Sequence, residues 1–434
     1  MIRSLMWMLA VVIGVGVAEA KGPNVVVILS DDQAWTDYGF MGHEQIKTPH
    51  LDKLAKESLT FARGYVPASL CRPSLATLVT GLYPHQHLIV GNDPAPPKGT
   101  TRNQAESSKE YRALREKLNS RILDQPRVPQ LLGEAGYISF QSGKWWEGNF
   151  SQGGFTQGMT RGFPQPGGRH GDDGLKIGRN GMEPVLKFID QAAEADKPFF
   201  LWYAPMMPHQ PHNPPQRLLD KYLDKSPSKH VATYWAMCDW FDETCGQLLD
   251  HLDQKGLKND TLVVYVCDNG WIQQPDKATY DDRSKRSRYD GGTRTPIMLR
   301  WPGHVTPKMD RENLASSIDL APTILQACGL KPSEAMQGIN LLDEKAVSSR
   351  HTLFGEIFDH DVPNLDDPTQ SLQDRWCIQD YWKMIVPNPA VVGRDQVELY
   401  DLKADPHEKK NLAAGQPQRV AEMQKQLDTW WMGK

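Results

Sequence analysis

A chain of 434 residues with 49 Lys and Arg against 53 Asp and Glu carries a formal net charge of -4. That near balance excludes a polybasic nucleic-acid binder, and 35 glycines with 32 prolines and no internal period exclude a helical repeat. Six cysteines with no C-x-x-C pair are too sparse for a disulfide scaffold.

Residues 1–20, "MIRSLMWMLAVVIGVGVAEA", place Arg3 before an apolar stretch that ends in Ala18-Glu19-Ala20. This is the pattern of a secretory signal peptide, too short for a comfortable membrane span. Cleavage before Lys21 is expected to leave a periplasmic or secreted protein with no membrane attachment. "NVVVILS" (24–30) reads as a buried parallel strand, and Asp31 and Asp32 follow at its C-terminal end. "CRPSLATLVTG" (71–81) reads as an apolar helix closed by Gly81.

Residues 101–125 are charged, with Tyr111, Leu114, Leu118 and Ile122 at helical spacing, the pattern of a surface helix in an insertion. "SGKWWEG" carries Lys144, and the glycine-rich "PQPGGRHGDDG" (164–174) reads as a loop able to line a cleft. Helical spacing over 182–195 and 232–256 alternates with the strands "FFLWYA" (199–204) and "TLVVYVCDNG" (261–270). Cys238 and Cys245 share one face of the second helix about 10 Å apart, too far for a relaxed disulfide. Alternation of this kind predicts an α/β fold, a mostly parallel sheet covered on both faces, with ligands at the C-terminal strand ends. From Ser348, "WKMIVP" and "VELYDLKADPHEKKNLA" predict a small sheet plus a terminal helix. The expected organisation is a signal peptide (1–20), a catalytic domain (21–347) and a smaller α+β C-terminal subdomain (348–434).

Asp31, Asp32, Asp268 and Asn269 all end strands, and such oxygen donors suit a hard cation, Ca²⁺ or Mg²⁺. Singly, the same residues are ordinary helix caps and turns. His209, in "MMPHQPH", sits among prolines in an extended loop, which fits a general acid better than a core imidazole. His85, His87, His209 and His212 lack any zinc spacing. Lys144 and Lys285 are surface charges unless a cleft brings them to an anion, and an isolated Cys71 is a small buried hydrophobe.

Taken in order, Asp31-Asp32, "CRPSLATLVTG", "GKWWEG", "MPHQPH", "CDNG", "SKRSRYDGGTRTP" and "LYDLKADPHEKKNLA" resemble the sulfatase family, the formylglycine-dependent type I sulfatases of the alkaline phosphatase superfamily. The resemblance covers nearly the whole chain after residue 20. It implies an alkaline-phosphatase-like fold and Cys71 oxidised to formylglycine by a maturation enzyme. It also implies Ca²⁺ in preference to Mg²⁺ on Asp31, Asp32, Asp268 and Asn269, sulfate held by Lys144 and Lys285, and His209 as acid. The implied substrate is a sulfate ester, with sulfated carbohydrate expected. Phosphate or phosphonate ester hydrolysis on the same fold, and silent binding of sulfated glycans, are the rival readings. The chain departs from the family at Leu75, where the motif has arginine, and at Trp146, where G-K-W-H members have histidine. Arg72, Arg169 and His170 are the candidates to supply the missing polar group. Trp145, Trp146 and Trp271 flank the site residues, compatible with sugar stacking or with packing.

Overall fold

Asn24–Ser30 is the middle strand of a mixed sheet, hydrogen-bonded in parallel to Phe199–Ala204 on one side and to Thr261–Cys267 on the other. The computed structural model describes residues 22–433, so the expected signal peptide lies outside the described residues. Ile138–Gly143 adds in parallel beyond Phe199–Ala204. On the opposite side Arg294–Arg300 runs antiparallel to both Thr261–Cys267 and Leu59–Tyr65. Short strands complete a nine-stranded sheet.

Every residue of Phe199–Ala204 and of Thr261–Cys267 is buried, as expected of strands covered on both faces. Alternation along the first strand divides the core. Val25, Val27 and Leu29 pack with the helices Cys71–Thr80, Val128–Glu134 and Leu320–Ala327. Val26 and Ile28 pack with Pro49–Lys56, Glu183–Glu194 and Lys229–Gln254 on the other face. No helix of the described residues is long and apolar enough to cross a membrane.

A second, antiparallel sheet orders Thr352–Phe358, Leu372–Gln379, Trp382–Pro387 and Glu398–Asp401. The terminal helix Pro417–Trp430 lays Met423 and Leu427 on Cys377, Met384 and Leu399 of one face. From the other face Trp376, Ile385 and Tyr400 pack on Tyr65 and Tyr289 of the main domain.

Residues 101–125 differ from the single surface helix expected. They form Arg102–Ser107 and Lys109–Ser120, followed by a 3-10 turn, Arg121–Asp124. Ser108 adopts extended backbone and its hydroxyl accepts the Tyr111 N–H at 3.1 Å, which starts a new helix instead of continuing the old one. Tyr111, Leu118 and Ile122 are buried, while Leu114, at the rim of that stripe, is exposed. All six cysteines are free.

His85 and His87 serve packing, and neither joins a metal-ligating cluster among the described residues. His85 stacks on Trp431 at 4.3 Å and pairs with Glu356. His87 is fully buried, its Nδ1 accepting the Ile89 N–H at 3.1 Å and its Nε2 3.2 Å from the Thr77 hydroxyl. Burial pushes its pKa from 6.5 down to about 3. The unfolded chain therefore binds a proton that the folded chain refuses, so this residue's share of stability is complete above the unfolded value and is lost as pH falls towards the folded one. Urea unfolding of His87→Gln at neutral pH and at about pH 5 should show a smaller acid loss than the wild type, by about 2 kcal/mol.

Candidate active site

The strand register brings the acidic residues level. Ser30 pairs with Cys267, which sets Asp31 and Asp268 at adjacent strand ends, and the Asp268 N–H donates to the Ser30 carbonyl at 3.0 Å. Gly143 pairs with Ala204, so Lys144 leaves its strand beside the turn that leads to His209, and the Lys144 N–H donates to the Ala204 carbonyl at 2.7 Å. That crossing requires glycine: Gly143 has φ +82°, and a Cβ there would lie 1.9 Å from the Ala204 oxygen.

Lys144 Nζ donates to both Asp31 oxygens at 2.7 Å, and Lys285 Nζ to Asp32 Oδ2 at 2.7 Å. His209 Nε2 lies 3.3 Å from the same Asp32 oxygen, while its Nδ1 is 2.6 Å from the Gln210 carbonyl, which places the Nδ1 proton there and turns Nε2 to the site. Ligating atoms of Asp31, Asp32, Cys71 and His209 all fall within 4.8 Å of one another. Asp31 is held below the ordinary carboxylate range despite its burial, by Lys144 first and then His209 and Lys285. Asp268 is pushed well up by burial and by the Asp31 carboxylate.

Two oxygens show what these residues can hold. Asp268 Oδ1 accepts the backbone N–H groups of Asp32 and Asn269, leaving Oδ2 buried without a hydrogen bond. The Asn269 amide nitrogen donates to Asp32 Oδ1 at 2.7 Å, leaving its carbonyl oxygen buried and unpaired. Hard oxygens with nothing to accept, beside two further carboxylates, fit a hard cation.

Cys71 is the first residue of the helix Cys71–Thr80, and Gly81 closes it at φ +70°. Its side chain is 2 % exposed, and burial raises the thiol to about 12 against the pull of Lys144 and Lys285. A thiol so protonated is a poor nucleophile. The segment before it is tied to the Lys285 loop: Arg286 N–H donates to the Ser69 carbonyl at 2.8 Å, and Ser69 Oγ to the Ser287 carbonyl at 2.6 Å. The second sheet braces the same loop. Lys383 Nζ pairs with Asp290 at 2.8 Å and Glu408 at 3.0 Å, and Glu408 accepts the Asp290 N–H at 2.6 Å. Asp290 and Glu408 lie inside the quoted motifs "SKRSRYDGGTRTP" and "LYDLKADPHEKKNLA", but nothing in the sequence pairs them with Lys383, because the contact joins separate segments of the chain.

Of the three candidates to replace the missing polar group, Arg72 is ruled out. It turns away from the site into a buried bidentate pair with Glu147 (2.8 and 2.6 Å) and also donates to Asn119 at 2.7 Å. Arg169 is spent on Asp93, which it shares with Arg102 and Arg115, and lies 4.6 Å from the Trp146 ring. His170 approaches the same Trp146 ring at 5.1 Å. Trp145, Trp146 and Trp271 are buried, which assigns them to packing and not to a sugar platform. Leu75 likewise joins the core.

Buried carboxylates set beside two buried ammonium groups at the C-terminal edge of the sheet suit the binding of an anionic group. A family model described as Sulfatase matches residues 23–330, and one described as N-sulphoglucosamine sulphohydrolase, C-terminal, matches residues 278–431. The chain belongs to the sulfatase family and is a sulfuric ester hydrolase. It is 27% identical to human arylsulfatase A over 95% of this chain and 87% of that protein. To human N-acetylgalactosamine-6-sulfatase it is 28% identical over 76% of this chain and 67% of that protein. The fold matches, at TM-score 0.71 and 18% identity over 95% of this chain and 98% of the other, a protein solved with its substrate D-glucosamine-2-N,6-O-disulfate.

The Arg72–Glu147 pair is nearly inaccessible, at 2% and 3% exposure. Arg72→Met should destabilise the protein by about 3 kcal/mol, because it strands a buried carboxyl, and Arg72→Met/Glu147→Leu should recover most of that loss in denaturant unfolding.

Proposed function

We propose that this protein is an exported sulfatase that removes sulfate from a carbohydrate ester, with Cys71 converted to formylglycine and Ca²⁺ held by Asp31, Asp32, Asp268 and Asn269. The observation that carries the reading is the convergence of Cys71, Asp31, Asp32 and His209 within 4.8 Å, beside two buried oxygens that accept no hydrogen bond. When bound, the cation would draw charge from sulfate oxygens and lower the pKa of a neighbouring hydroxyl. The hydrate of an aldehyde at position 71 would offer one hydroxyl to attack sulfur and a second to expel the sulfate afterwards.

The protein's own groups divide the remaining work. Lys144 and Lys285 sit with Asp31 and Asp32 and present positive charge to the sulfate. Burial lowers the His209 pKa against the pull of Asp31 and Asp32, so the acid is the imidazolium, whose Nε2 proton passes to the leaving sugar oxygen while its Nδ1–H stays on the Gln210 carbonyl and fixes the ring. A carbohydrate substrate draws support from the relatives, one a named N-acetylgalactosamine-6-sulfatase and one solved with a sulfated glucosamine. Export draws on the sequence of residues 1–20 alone.

Mass spectrometry of the Cys71 peptide from the native host should find the thiol replaced by an aldehyde. An unmodified cysteine together with retained sulfate-ester binding would instead support a silent glycan-binding protein. Chelation should abolish hydrolysis and Ca²⁺ should restore it better than Mg²⁺. His209→Ala should slow cleavage of a sugar sulfate by about 100-fold but that of 4-nitrophenyl sulfate far less, since nitrophenolate leaves without a proton.

A further inference from the structure

The glycine-rich loop is pinned against the strand end that delivers Lys144. The His170 carbonyl accepts the Trp145 N–H at 3.1 Å, and the Gly171 carbonyl accepts the Thr160 hydroxyl at 3.1 Å. Cβ atoms built at Gly171 and Gly174 would come within 2.9 and 2.5 Å of the Gly143 oxygen, so the loop backbone lies directly on the residue before Lys144. The His170 ring is wedged against Trp146 at 5.1 Å, and its Nδ1 is buried with no partner. Nε2 is then the ring nitrogen left to meet a ligand.

A buried N–H without an acceptor costs more than a buried lone pair without a donor, which puts the single proton on Nε2. Burial, with the positive charges of Lys144 and Arg169 beside it, pushes the ring's pKa down to about 3 and keeps it neutral. A neutral donor at this place adds a hydrogen bond to an anion without adding charge. Neither of its rivals is available, since Arg72 is locked to Glu147 and Arg169 to Asp93.

We infer that His170 is a substrate-contacting residue, its Nε2–H donating to an oxygen of the sulfate group held beside Lys144 and Lys285. This rests on the sulfatase reading above. The test compares wild type, His170→Ala and His170→Gln as full chains. Binding of inorganic sulfate is measured by calorimetry on unconverted protein made without the maturation enzyme and supplied with Ca²⁺. Hydrolysis of 4-nitrophenyl sulfate is measured on converted protein, with Cys71 conversion and the unfolding midpoint followed in each. His170→Ala should weaken sulfate binding and lower kcat/KM by about 10- to 100-fold at unchanged conversion and midpoint, and the amide donor of His170→Gln should recover part of both. If His170→Ala does not fold, the His170→Gln protein decides by the same comparison, with values equal to the wild type counting against the contact. An active wild type matched by His170→Ala within about twofold overturns the inference and leaves the sulfatase reading standing. A wild type that neither binds sulfate nor cleaves any sulfate ester overturns the reading itself, and this inference with it.

Discussion

Three carboxylates buried at one sheet edge repel one another, and the rest of the structure is arranged around that fact. Asp31, Asp32 and Asp268 are each almost inaccessible, so water screens little of the repulsion. Lys144 and Lys285, also buried, each neutralise one of them at 2.7 Å. Taking five charges out of water costs several kcal/mol apiece, and mutual attraction offsets this only where geometry is tight. The third carboxylate and the Asn269 carbonyl keep oxygens with no protein donor. What remains is a place where an added cation and an anionic ligand relieve a tension already present in the folded chain.

Holding that arrangement requires bracing from elements with no chemistry of their own. The Lys285 loop is tied to Ser69 before the Cys71 helix and clamped from the second sheet by Lys383 and Glu408. The C-terminal subdomain thus acts on the site mechanically. On the other flank the Arg72–Glu147 pair fastens the second residue of the Cys71 helix to the segment just after Lys144. Both devices fix the mouth of the site, where an error of about 1 Å is costly to catalysis.

The exchange of polar residues near the site follows from the same packing. Leu75 and Trp146 are core residues, and Trp146 serves as the surface against which Arg169 and His170 lie.

Much of this was legible in the chain itself. β-Branched runs ending in Asp or Asn announce buried parallel strands with polar ends, because only apolar residues tolerate burial on both faces and ligands gather where such strands stop. The ordered motifs around Asp31, Cys71, Lys144, His209, Asp268 and Lys285 named the family, and the alternating pattern named the sheet. Tertiary structure alone decided which way neighbouring side chains point: that Arg72 leaves the site, that Arg169 is consumed by Asp93, that Ser108 breaks the insertion into two helices. It alone set the Lys383–Asp290–Glu408 clamp and the approach of His170 to Trp146. The physical reason is that strand ends and motif order are local properties of sequence, whereas the partner of a buried charge is chosen by whichever distant segment packs against it.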